Sequence, residues 1–523
     1  ECVMSNLSDL IPAGGGQNNT DFVADGGITS GKPVILTAAG KAAQVAEASV
    51  AVDIPYITTS TTGSYFTNSA IKTYSSTQLD PLVEGRMVAA YIQSSGYPSV
   101  ITGEQDGSSI TWASTHTVLV SNYTTKGISL AFDPANTNQI LVQYYQSGGT
   151  SGPYVVSATL TGSGASAGFT LGTSVNLNNG NTDAIGPQFV AFDPSASATA
   201  LILYMHTSRV TKLRAATISS NTITLGTAVD CGSDISDKQY NSIAFNSAGT
   251  FAFGYINDTN NNLEVYTGHI SSTDTVNLSS SATQLETNVD RDNALCQFDP
   301  NNDNKLAFTW QDSSTGYAVG EIVTLSGSGS TATITAGTAL TFYSGNIEIG
   351  MQCLFNSGTA GEIVFVYQEG SGDTDIEARA ATYDDSSTSN TITLGTVYTM
   401  WDTSATGFPQ ARYPFGCVNG IFGVTFIRDD NSDGTVVLGK MTTTATNMTA
   451  TNLLGIASGA ILDTATGTIN TWGSRNEVQT GLTIGSDYYV QTDGTITTTS
   501  TSPAQLIGTA ISATQINIKD YTG

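Results

Sequence analysis

A strand, an Asp-Pro corner and a second strand recur along this chain at intervals of about one small sheet. The clearest copy runs from Phe298-Asp299-Pro300-Asn301-Asn302 into Leu306-Ala307-Phe308-Thr309-Trp310. Proline fixes its own φ and donates nothing to a ladder. Asp and Asn side chains bond the backbone beside them, so the two strands meet at a defined corner. The corner follows Leu79, Phe132, Phe192, Phe245, Phe298, Phe355 and Phe415, so the copies are 53, 60, 53, 53, 57 and 60 residues apart. Asp80-Pro81, Asp133-Pro134, Asp193-Pro194 and Asp299-Pro300 keep the full motif, Asn246-Ser247 and Asn356-Ser357 vary it, and Gly416-Cys417 loses it.

Each copy goes on to a polar loop and two further strand-like stretches, such as Tyr154-Val155-Val156-Ser157-Ala158-Thr159-Leu160 and, in the next copy, Thr222-Ile223-Thr224-Leu225-Gly226-Thr227. A period of this size with several short strands per copy marks a repeat architecture. One four-stranded sheet leaves an apolar face bare, and stacking such sheets around a closed wheel covers every face. The expected fold is therefore all-β: a seven-bladed β-propeller spanning 57–450. The fourth strand of the last copy is not evident. Met448 to Leu454 or a segment before Leu79 are the two candidates to supply it.

The segments outside the repeats divide as 1–22, a Gly/Asn-rich arm or linker; 23–56, a short β segment; and 451–523, a run of short strands with period-2 alternation. Gly27-Ile28-Thr29-Ser30-Gly31 near one end and Gly481-Leu482-Thr483-Ile484-Gly485 near the other share a pattern. The expectation is that both ends of the chain build one small β module.

Composition narrows the function. Charged residues make up 11%, against the usual ~25%, and apolar residues 39%. The surface is thus made of Ser, Thr, Asn, Gln and Gly, which favour strands and turns over helix interiors. With 17 Lys plus Arg and 43 Asp plus Glu the net charge is −26, which repels phosphate backbones and anionic lipid. Neither nucleic-acid binding nor membrane insertion is expected. The five cysteines are scattered and fit neither a disulfide framework nor a zinc spacing, although Cys296 and Cys353 hold equivalent places in adjacent copies, where a bridge or two buried thiols are the alternatives. The chain opens on Glu1, which leaves a processed start or a longer chain as alternatives; no secretory leader is visible.

The terminal module, through Leu454-Gly455-Ile456-Ala457, Gly481 to Val490 and Leu506-Ile507-Gly508-Thr509-Ala510, resembles modules in tail-fibre and other virion surface proteins of bacteriophages. That resemblance implies a structural, outward-facing part of a virus particle, extracellular, assembled with copies of itself or with other virion subunits, and touching a cell-surface glycan. It carries over no functional residue. Two alternatives stand beside it: a secreted glycan-binding or glycan-hydrolysing propeller protein, and a cellular surface or filament protein.

The search for chemistry supports a non-enzymatic reading and no cofactor. His116, His206 and His269 fall at unrelated positions in their repeats. The corner carboxylates Asp80, Asp133, Asp193 and Asp299 form either an acidic ring or turn caps, and Asn at two equivalent positions favours caps. One loop, Asp429-Asp430-Asn431-Ser432-Asp433-Gly434, fits the start of a calcium loop, with Asp429, Asn431 and Asp433 as candidate ligands for a structural ion. Lys440 stands where the closing Glu belongs, so a plain hairpin like the one at Gln311-Asp312-Ser313-Ser314 is the other reading. Tyr145, Trp310, Tyr317 and Trp401 are candidates for stacking on sugars or for packing between sheets.

Overall fold

A computed structural model describes residues 18–519, apart from 38, 47–49, 59–74, 94, 107–108, 122–123, 148–150, 163–166, 178–187, 207–209, 232–241, 258, 272–273, 291–294, 348–350, 371–374, 385–389, 402–409, 428–433, 444–446, 449–451, 492 and 500–504. Among the described residues the regular structure is β-strand, with a single 3-10 turn at Gly329–Thr331 named beside the strands. The chain divides into two compact units, 50–441 and the joined segments 1–49 and 442–523.

The larger unit is a succession of antiparallel sheets of four or five strands, in a propeller-like arrangement. Their first strands are Ser75–Leu79, Thr124–Phe132, Gln188–Phe192, Ser242–Phe245, Leu295–Asp299, Gln352–Phe355 and Gln410–Val418. Each first strand lies against the first strand of the next sheet, and Gln410–Val418 lies against Ser75–Leu79. The second strands are the most buried. Arg86–Ile92 and Glu362–Gln368 are buried at every position, because a neighbouring sheet covers each face. Third strands alternate, as in Ile376–Tyr383, and outer pieces such as Thr222–Leu225 are mostly exposed on one side. Burial thus falls from the inner strands to the rim within each copy, which is why the apolar runs of the sequence sit in second strands.

Most fourth strands are broken in two. Gly168–Leu171 and Val175–Asn176 both pair with Gly152–Thr161, and the same split recurs after Leu225 and Leu278. At two breaks stands a glycine, Gly172 or Gly226, where a Cβ would lie 2.0 Å from the carbonyl oxygen of Asn221 or Asp274 in the following sheet. These glycines are needed for a close approach between sheets, not for their φ. The turn residues they face reach back in turn: Asn221 accepts from Thr159 at 3.0 Å, and Asp274 accepts from Thr217 at 2.6 Å.

The last sheet takes its fourth strand from the other end of the unit. Val50–Thr58 pairs with Gly434–Thr443, so the boundary expected at 56 falls between 49 and 50. An otherwise bare edge strand is the physical reason: pairing it removes a row of unsatisfied backbone groups. The hydroxyl of Thr425 also donates to that of Thr77 in the first sheet at 2.6 Å, and Val436 and Leu438 share a core with Leu79, Met87 and Trp112.

The smaller unit contains two five-stranded sheets. One orders Asn19–Val23, Thr466–Asn470, Leu453–Ala457, Pro33–Leu36 and Ala42–Gln44, interleaving strands from both ends of the chain. The arm expected over 1–22 thus ends in strand from Asn19, paired with Asn470. The other sheet orders Arg475–Asn476, Gln515–Ile518, Gln505–Ser512, Asp487–Val490 and Ile496–Thr497. Ile35, Leu453, Ile456, Val490, Ile507 and Ile516 share one core of this unit.

Candidate functional site

The corner acids are buried within their own turns. Asp80, Asp133, Asp193 and Asp299 are each 3% exposed or less. Asp80 Oδ1 accepts from the backbone of Leu82 at 2.8 Å and Val83 at 3.2 Å, and its Oδ2 from Arg86 Nε at 2.8 Å. Asp133 Oδ1 accepts from Ala135 N at 2.8 Å, Asp193 Oδ1 from Ser195 N at 2.8 Å and Asp299 Oδ1 from Asn301 N at 2.7 Å. Tyr383 donates to the second oxygen of Asp299. Asn356 does the same job, accepting from Gly358 N at 2.9 Å. A neutral amide serves as well as a carboxylate because the receiving group is a backbone N–H. The corner acids are turn caps, and none of the four lines the space between the first strands.

With the acids turned away, the space between the first strands has an uncharged wall. A cavity of about 420 Å3 opens there, reached past Pro81, Pro134, Pro194 and Pro300. Among its described lining residues none carries a carboxylate, an ammonium or guanidinium group or an imidazole; the polar groups are Ser76, Ser129, Ser357, Gln78, Gln297 and Gln352, with the thiols of Cys296 and Cys417 in the wall. Both thiols are buried, which pushes Cys296 up to about 11 and Cys417 up to about 12, so they stay protonated at neutral pH.

The wall is uneven. Two residues before each corner stand Gln78, Ala131, Ala191, Ala244, Gln297 and Leu354 in successive sheets. Three neighbouring alanines therefore form a shallow arc with a glutamine at either end. Phe189 and Phe245 are half-buried and line the same space. The inner strands are fastened side chain to backbone: Ser76 Oγ accepts from Leu130 N at 3.2 Å, Ser242 Oγ from Cys296 N at 2.6 Å, and Gln297 Oε1 from Phe355 N at 2.9 Å. These bonds satisfy edge N–H groups that no strand can reach. They also hold the wall rigid.

The candidate residues named from sequence fare differently. Asp429, Asn431 and Asp433 lie outside the described residues. The comparable hairpin at Asp312 is a capped turn: Oδ1 accepts from Ser314 Oγ at 2.5 Å, Ser314 N at 2.8 Å and Thr315 N at 3.0 Å, and chiefly the Ser314 hydroxyl holds that carboxyl below its usual range. Among the described residues no group of three or more His, Cys, Asp or Glu is placed to hold a metal ion. Tyr145, Trp310 and Trp401 are buried packing residues, and only Tyr317 of that group is exposed, at 37%. Cys296 and Cys353 are free and buried. His116 is exposed, and His269 is half-buried under Gly329.

The lining residues two and four places before the corners, such as Gln78, Ser129, Ala131 and Gln352, were missed. Their signal is positional: the places two and four before each corner vary in size and polarity while the corner repeats. Apart from the cavity, carboxylates gather at the end of the Glu362–Gln368 and Ile376–Tyr383 hairpin. Glu377 lies opposite Tyr367 in register, and burial first, with Glu369 and Asp375 adding, raises its carboxyl.

The fold and this cavity define an all-β, propeller-like protein. No protein-family model matches the chain, and no curated protein does. Among solved structures it is similar to a lectin mutant of Aleuria aurantia in complex with α-methyl-L-fucoside, at 13% identity and a TM-score of 0.38, covering 60% of this chain and 94% of that one. It is also similar to the WD40 domain of SCAP from fission yeast (8% identity, TM-score 0.39, 76% and 97% covered). A third is a putative 6-phosphogluconolactonase from Bacteroides fragilis (6% identity, TM-score 0.42, 68% and 94% covered). At such identities and scores these likenesses assign neither a function nor a site to this chain.

Proposed function

We propose that the chain is a seven-bladed β-propeller that binds a glycan without cleaving it, at the cavity between its first strands. The observation that carries this reading is the wall itself: about 420 Å3 lined by aliphatic and phenyl side chains with a few amides and hydroxyls, with each corner carboxylate committed to a turn. That size is typical of small-ligand pockets, and hydroxyl-bearing rings suit a mostly apolar surface that carries a few hydrogen-bonding groups. Acid–base cleavage of a glycoside would call for a carboxyl pair at the bound sugar, and the lining supplies none.

The setting we propose is the outside of a virus particle, with the smaller unit as the part that joins copies of the chain or other subunits. The sequence style of 451–523 supports this. An array of immobilised glycans, followed by chromatography of any that bind, tests the function. Binding with the glycan recovered intact is expected; released sugar, or no binding to any glycan, would reject it. Labelling of intact particles by an antibody against 451–523 tests the setting.

A further inference from the structure

The chain carries a formal charge of −26, yet none of the described residues that line the cavity has a charged side chain. We infer that the site selects an electrically neutral sugar, seated over Ala131, Ala191 and Ala244 between Gln78 and Gln297, and rejects uronic, sialylated and sulfated ones. The inference rests on the glycan-binding reading above and adds the class of sugar.

Three observations support it. An anion entering this space leaves water for a wall whose described residues offer no cation, and desolvating an unpaired charge is strongly unfavourable. The field of so acidic a protein opposes the same anion at longer range. A cation is drawn toward the protein, but the corner acids Asp80, Asp133, Asp193 and Asp299 are buried, each with at least one oxygen engaged by backbone or side-chain donors. What remains at the wall are neutral hydroxyls and carboxamides, including the NH2 group of Gln297, whose oxygen accepts from Phe355 N, and these match a hydroxyl without a net charge. The alanine arc gives the depth. At the equivalent place the sheet after Gln297 carries the bulkier Leu354, which also lines the cavity.

The test is calorimetric titration of the full chain with neutral oligosaccharides of glucose, galactose, mannose and N-acetylglucosamine. Glucuronate-containing, sialylated and sulfated oligosaccharides run in parallel, each at low and high salt and from pH 5 to pH 8. The expected result is binding by a neutral sugar, with an affinity that changes by less than about twofold with salt or pH, since no titrating or charged group touches it. Ala191→Trp, which fills the arc, is expected to weaken binding at least roughly tenfold. Gln78→Ala serves if that variant does not fold. Salt-dependent binding of charged sugars alone would overturn this inference and leave glycan binding standing. Neutral-sugar binding untouched by both variants would overturn the placement. Failure of every glycan would reject the functional reading and the inference together.

Discussion

The Thr425 hydroxyl donates to the Thr77 hydroxyl at 2.6 Å, across 348 residues of chain, with both side chains fully or nearly fully buried. This bond ties the last sheet to the first. Removing one partner leaves the other hydroxyl buried and unsatisfied, so Thr77→Val and Thr425→Val are each expected to lower stability by about 1–3 kcal/mol. The double substitution is expected to cost less than the two singles together, because a methyl then meets a methyl. Urea unfolding of the four proteins checks this, and strictly additive losses would show that the hydroxyls do not act as a pair.

Glu321 makes stability depend on pH. Its side chain is buried, with Oε1 accepting from Gly337 N at 2.6 Å, and burial first, with Glu286 adding, raises its carboxyl above 4.5. The native state then binds the proton more tightly than the unfolded chain does. Stability is lost as pH climbs from the unfolded value through the folded one. Glu321→Gln keeps the acceptor and removes the titration. It is expected to melt higher than the parent at pH 7 and equally below about pH 4. A parent more stable than the variant at pH 7 would contradict this.

Gly226 is a packing glycine. Its Cβ would meet the Asp274 carbonyl oxygen at 2.0 Å, which is backbone and cannot swing aside. Gly226→Ala is expected to destabilise by about 1–3 kcal/mol or more. Gly27→Ala, where nothing lies within 4 Å, serves as the control and is expected to stay within about 0.5 kcal/mol. Equal melting of the two variants would show that the sheets separate freely at the break.

The thiols of Cys231, Cys296, Cys353 and Cys417 are free, buried and raised by that burial. Iodoacetamide at pH 8 is expected to leave all four unmodified in the native protein and to label them in denaturant. Rapid labelling of any of the four without denaturant would mean that a sheet opens on the timescale of the reaction.

The strand–corner–strand unit was legible because its causes are local. Proline's fixed φ, the reach of an Asp side chain two residues along the backbone, and the apolar runs that become fully buried second strands all act within a dozen residues. That Asp133 and Asn356 serve alike as caps was readable too, since both side chains offer the same acceptor. The strand that completes the last sheet was not. Val50–Thr58 and Met448 to Leu454 are both plausible strands, and what separates them is an open edge at Gly434–Thr443 that exists only after the sheets have assembled. The arc of Ala131, Ala191 and Ala244 is likewise invisible along the chain, where its members are 60 and 53 residues apart. Sequence by itself settled the repeating unit and its corners, because backbone preference needs no partner. Tertiary structure alone decided which strand completes the last sheet and where the free space lies, because both depend on which neighbour each sheet finds.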